Sequence, residues 1–132
     1  MRILNCTNHN ATDKQLRMGV IEPDEQDKRA IQQSITFELP VSMADIRRAC
    51  DMVTEYTEKY GCAAALIGGA PFLQGYLESS LFAKSLCAAF AFTRRISAER
   101  KMPDGSVEKV SVFDSAATLV KHPDGTLETI TL

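Results

Sequence analysis

The sequence predicts an α/β fold: a mostly parallel sheet with flanking helices, ending in an antiparallel β-hairpin or meander. Three observations predict it. Between residues 2 and 93, short apolar or β-branched runs alternate with segments of helical period, the pattern of strand–helix–strand units with right-handed crossovers. Beyond residue 93 the helical period stops, and two turns repeat almost letter for letter, MPDGSVE at 102–108 and HPDGTLE at 122–128, each between alternating runs. The chain has 132 residues, 45% hydrophobic and 24% charged, which suits a single domain spanning residues 1–132 with its own core.

The elements follow in order. RILNC (2–6) reads as a short buried strand that stops at the polar run TNHN (7–10). TDKQ (12–15) has the form of a capping box, so a short helix starts there and ends near Gly19. EPDEQDKRAIQQ (22–33) is charged or amide almost throughout and reads as a solvated loop or a polar helical turn. SITFEL (34–39) alternates and is β-branched, which predicts the second strand, ended by Pro40. Ser42 caps a long helix with Asp45 three residues on, and Met43, Ile46, Cys50, Val53 and Tyr60 share its apolar stripe; Gly61 suits its end. AAALI (63–67) predicts a third strand covered on both faces, broken by Gly68 and Gly69. Pro71 fits the first turn of the next helix, where a missing N–H costs nothing, and Leu73, Leu77 and Leu81 form one face. LCAAFAFT (86–93) is the fourth strand, and residues 94–101, 107–120 and 126–131 form the meander. Residues 101–132 are thus antiparallel hairpins: the first extends the sheet at an edge, and the second packs beyond it or forms an arm for a partner.

Composition narrows the function. Fifteen basic and 17 acidic residues give a net charge of −2, which argues against gripping long nucleic acid through its backbone. A small anionic ligand in a local site stays open. The four cysteines, Cys6, Cys50, Cys62 and Cys87, match no zinc spacing and sit in apolar segments, as buried thiols of a reducing compartment do. No apolar run approaches the roughly 18 residues of a membrane span, and residues 1–6 lack a signal-peptide core. The expected location is cytoplasmic, with no membrane partner and no cofactor.

An open α/β sheet binds ligands outside the carboxyl ends of its strands. Strand one delivers Asn5, Thr7, Asn8 and His9 to that edge; strand three delivers Gly68, Gly69 and Ala70; strand four delivers Thr93, Arg94 and Arg95. The diglycine is neither a Walker A loop nor G-x-G-x-x-G. It is a tight turn, or a place where a ligand phosphate meets free amides at a helix N-terminus. Arg94 and Arg95 carry donor forks that match phosphate, or they bridge to Glu99 or Glu108. His9 is a general acid or base, or a loop histidine whose neighbours cap the next helix. No set of Asp, Glu, His or Cys has metal-ligand spacing. A nucleophilic Cys6–His9 pair requires Cys6 to leave the core.

Three stretches together resemble a known family: T-N-H followed by T-D-K-Q, the strand–turn–helix LIGGAPFL, and FAFTRRISAE with DGSVEKVSVF. In order and character they resemble small CRISPR-associated proteins with a CARF-like, Rossmann-like fold, one branch of which comprises stand-alone ring nucleases. The likeness runs from about residue 3 to residue 113 and is weakest through 20–60. The resemblance implies a homodimer around a two-fold ligand, cyclic oligoadenylate, cleaved without metal by its own ribose 2′-hydroxyl. It implies that Thr7, Asn8 and His9 position the ribose or assist proton transfer, that amides of Gly68 to Phe72 cradle a phosphate, and that Arg94 or Arg95 stabilises charge on phosphorus oxygens. The chain departs from the family after Phe113, where Asp114 and Ser115 stand in place of a basic residue and a histidine. The alternatives are a non-catalytic nucleotide sensor or sequestering protein and a ligand-free oligomeric interaction subunit.

Overall fold

The computed structural model describes residues 1–132. Ten elements follow one another: β1 (Ile3–Asn5), α1 (Asp13–Arg17), β2 (Val20–Ile21), α2 (Glu25–Ser34), α3 (Met43–Lys59), β3 (Ala64–Leu66), α4 (Pro71–Ala83), β4 (Cys87–Lys101), β5 (Val107–Lys121) and β6 (Leu127–Ile130). They build an α/β structure around one mixed six-stranded sheet in the order β2-β1-β3-β4-β5-β6. The first four strands are parallel and the last three antiparallel.

Local chemistry starts most elements where the sequence predicts. Thr12 and Gln15 form the capping box of α1, and Ser42 and Asp45 that of α3. Gly19 closes α1 with φ +105°; a Cβ there would lie 2.3 Å from the Met1 carbonyl oxygen, so only glycine fits. Pro71 sits in the first turn of α4. The two Pro-Asp-Gly turns have one geometry: Met102 N–H donates to Ser106 O and His122 N–H to Thr126 O, while Asp104 and Asp124 accept from the residue two on. The repeat is therefore shared turn chemistry, and β6 packs beyond β5 on the sheet.

Alternate strand residues feed two cores. Leu4, Cys6, Ala65, Ile67 and Ala88 join Ile31, Val53, Leu73, Leu77 and Leu81 of α2, α3 and α4 on one face. Ile3, Val20, Ala64, Leu66, Cys87, Ala89 and Val120 form a smaller cluster on the other. Burial at roughly 25 cal/mol per Å2 of apolar surface makes these clusters the main stabilising contribution.

Two expectations are corrected. Residues 34–39 form no strand; the second parallel strand is Val20–Ile21, and the polar run before 34 is the helix α2, capped by Asp24. Ser34 and Thr36 turn their hydroxyls back onto the carbonyls of Ile31 and Gln32, and Phe37 meets Phe72 edge-on at 5.4 Å. The alternation serves packing against α4 rather than a ladder. Strand four does not end at 93 either: β4 runs on to Lys101, because β5 pairs with it along its whole length, with a bulge at Phe92/Thr93.

Candidate functional site

The chain leaves β1 for α1, which packs on β5 through Lys14–Asp114 and Thr12–Ser115. It leaves β3 for α4, which belongs to the opposite core. β1 and β3 are neighbours in the sheet, so their connections diverge to opposite sides. This is the topological switch point at which open α/β sheets leave a crevice.

The loop after β1 is held from below. Asn5 is 1% exposed, and every polar atom of its side chain is used. Its Nδ2 donates to the His9 carbonyl at 2.7 Å and to Glu22 Oε1 at 2.6 Å, while its Oδ1 accepts from the Thr7 N–H and hydroxyl. Glu22 also accepts from the Ala11 N–H and from Lys28, whose ammonium reaches Asn10 Oδ1. Burial opposes the charge of Glu22, but the bonds from Lys28, Asn5 and Ala11 outweigh it and hold the carboxyl below its usual range. Gln32 donates to the Asn8 carbonyl at 3.4 Å. The loop is thus fixed through its backbone, which leaves the His9 ring free of partners within the chain.

The loop after β3 supplies the second wall. Gly69 has φ +92°, and Gly68 approaches Thr7, to whose methyl an added Cβ would stand at 3.6 Å. Ala70 caps α4 without a side-chain hydrogen bond. The amides of Gly68, Gly69 and Ala70 donate to no acceptor in the chain. They sit where the helix dipole favours negative charge.

Both walls open on one cavity of about 460 Å³. Thr7, Asn8, His9, Gly68, Gly69 and Thr93 line it, so the three sequence-predicted sets meet there. Asn10, Thr12, Gln15, Gln74 and Ser115 add polar groups; Ile35, Phe90 and Phe113 add apolar surface. His9 is the one titratable side chain in the lining, and no Asp, Glu, Lys or Arg joins it.

The remaining predicted residues lie elsewhere. Asn5 supports the loop from beneath. Ala70 caps α4, and Phe72 packs on Phe37. Arg94 faces Asp114, its Nε 3.6 Å from Oδ2, in a cluster with Lys14 that holds the Asp114 carboxyl below its usual range. Arg95 stacks on the Phe113 ring, 5.4 Å from its centre, at the rim. Both arginines lie within a continuing strand rather than at its end, and neither lines the cavity: Arg94 is drawn to Asp114 and Arg95 to the Phe113 ring. Cys6 is buried in the helical core, and burial pushes its thiol up to about 12, so it forms no nucleophilic pair with His9. Sequence reading missed Phe113 and Ser115. Their signal was the hairpin register, which sets Ser115 opposite Thr93 and Phe113 opposite Arg95.

Fold and crevice together define an α/β protein with a neutral, polar switch-point cavity walled by free glycine-loop amides. A family model, that of the uncharacterized protein MJ1673 family, matches residues 1–116, and the chain belongs to that family. No curated protein and no solved structure matches it.

Proposed function

We propose that this protein binds a nucleotide at the carboxyl edge of its parallel strands. The observation that carries the reading is the meeting of the free amides of Gly68 and Gly69 with Thr7, Asn8, His9 and Thr93 around one cavity. The amides and the α4 dipole supply favourable partners for a phosphate without a cationic side chain. The hydroxyls and carboxamides of Thr7, Asn8, Thr93 and Ser115 suit ribose hydroxyls and base edges, each with donor and acceptor capacity. Phe90 and Phe113 offer apolar surface to a base. The sequence resemblance adds cyclic oligoadenylate as the first ligand to test and a Rossmann-like ancestry as the frame.

Binding is favoured over cleavage. A ring nuclease needs charge stabilised on phosphorus oxygens as the 2′-hydroxyl attacks, and Arg94 and Arg95 are engaged outside the cavity. His9 remains as a proton carrier, so slow turnover through His9 alone is the second reading.

Incubation with cyclic tetra- and hexa-adenylate in EDTA, read by thermal shift and by chromatography of the products, tests both. A shift in melting temperature with intact ligand supports the sensor. Linear products that vanish in His9→Ala support the enzyme. No shift with any cyclic or linear adenylate leaves the ligand-free interaction subunit.

A further inference from the structure

The β4–β5 hairpin extends far past the rest of the sheet. β3 pairs with β4 only as far as Leu66–Ala89, and β6 pairs with β5 only at 118–121. Residues 93–113 thus form a two-stranded ribbon with both faces and both edges open, and nearly every residue in it is exposed. Such a ribbon is marginal alone, and a long open edge is a template for another strand. Its even-numbered face carries the cross-strand pairs Ile96–Val112 and Ala98–Val110.

The β4 edge can be read residue by residue. Cys87 N–H donates to Ala63 O, and Ala89 O accepts from Ile67 N–H, so the odd residues of β4 point their backbone groups toward β3. At the far end Met102 N–H bonds Ser106, so the even residues face β5. Thr93, Arg95, Ser97, Glu99 and Lys101 therefore present unpaired amides and carbonyls along one edge.

We infer that this edge pairs with the same edge of a second copy, antiparallel, with Ser97 opposite Ser97. Charge selects that register. It sets Arg95 opposite Glu99 twice, and neither has an ion-pair partner within its own chain. A two-residue slip of the partner in one direction, centred on Ala98, would oppose Arg95 to Lys101; the reverse slip, centred on Ile96, would oppose Arg95 to Ser97 and lose both pairs. Arg94 falls opposite Arg100, but Asp114 and Glu108 neutralise them from the neighbouring strand. On the even face Ile96 meets Ala98, joining two apolar strips into one. The β5 edge offers no equivalent: the matching register, centred on Ser111, sets Lys109 opposite Phe113 and forms no ion pair. The contact is isologous and closes on a dimer.

The same register puts the partner's Lys101 opposite Thr93, which lines the cavity. The dimer thereby brings a cation to a lining that has none of its own. This last step rests on the nucleotide reading; the dimer itself does not.

Light scattering on the intact chain should give twice the 14.5 kDa monomer mass. Ser97→Cys should form an intermolecular disulfide on mild oxidation, since a hydrogen-bonded antiparallel pair sets the two Cα atoms about 5.5 Å apart; the four native cysteines are buried. Glu99→Arg should give a monomer with an unchanged circular dichroism spectrum, and Arg95→Glu combined with Glu99→Arg should restore the dimer. A monomer at every concentration, or a dimer indifferent to Glu99→Arg and uncrosslinked at position 97, overturns the inference. Lys101→Ala should keep the dimer and weaken cyclic tetra-adenylate binding several-fold. Unchanged affinity removes Lys101 from the site and leaves the dimer standing.

Discussion

Asn5 and Glu22 are joined by a 2.6 Å hydrogen bond from Nδ2 to Oε1, and through it the floor of the crevice is tied to the segment that follows β2. Neither residue needs to touch a ligand to matter. Asn5 spends its four hydrogen bonds on Thr7, His9 and Glu22, so the shape of the TNHN loop depends on a side chain that solvent does not reach. Asn5→Ala should cost about 1–3 kcal/mol, because the partners lose their bonds in a buried setting. Urea denaturation reads that cost. Amide exchange should speed up at residues 7–10 more than in α3; equal protection in both would contradict the positioning role.

Gly69 and Gly75 make a paired test of backbone strain. Neither position would crowd an added Cβ, but Gly69 has φ +92° and Gly75 lies inside α4. Gly69→Ala should destabilise by about 1–2 kcal/mol through the left-handed backbone alone. Gly75→Ala should stabilise by roughly 0.5–1 kcal/mol through helix propensity. The two midpoints should therefore move in opposite directions. Only Gly69→Ala should also weaken ligand binding, because it re-aims the amides of the loop.

The acid limb of stability should carry the signature of Asp27. Hydrogen bonds from Lys59 and Tyr60 hold its carboxyl below the usual range. Its folded pKa is depressed, so its contribution is complete above the unfolded value, about 4, and is lost as pH falls through the folded value. Asp27→Asn should flatten the stability profile below about pH 4 and lower the plateau above it. A wild-type profile that is already flat between neutrality and pH 3 would rule the link out.

Cys6 should resist alkylation in the native state at mildly alkaline pH. Burial pushes its thiol up to about 12, and the helical core covers it. Counting labelled thiols by mass spectrometry, with and without denaturant, should show Cys6 reacting only on unfolding. Rapid native labelling would place it outside the core.

Caps and breakers were legible because they act within a few residues. Thr12, Ser42, Pro71 and Gly19 set element ends by local bonds and fixed dihedrals, and the structure keeps each one. The second strand was not legible. SITFEL has the better strand composition, yet Val20–Ile21 pairs with β1, because α1 is short enough to return the chain directly beside it. Tertiary reach outweighed propensity. The crevice was legible at Thr7–His9 and Gly68–Gly69, which end their strands, and in the third set at Thr93 alone. Arg94 and Arg95 were misplaced for a non-local reason: fourteen cross-strand pairs with β5 carry β4 past the edge of the parallel strands. The walls supplied by Phe113 and Ser115 follow from that pairing and have no signature of their own.

The central claim is that the cavity at the switch point holds a nucleotide. Titration of isotope-labelled protein with cyclic tetra-adenylate, followed by amide chemical shifts, tests it most directly. The account predicts saturable shifts at Gly68, Gly69, Ala70 and Thr7–His9, with Thr93 and Ser115 following. Absence of any shift, or shifts confined to residues away from the crevice, would contradict it.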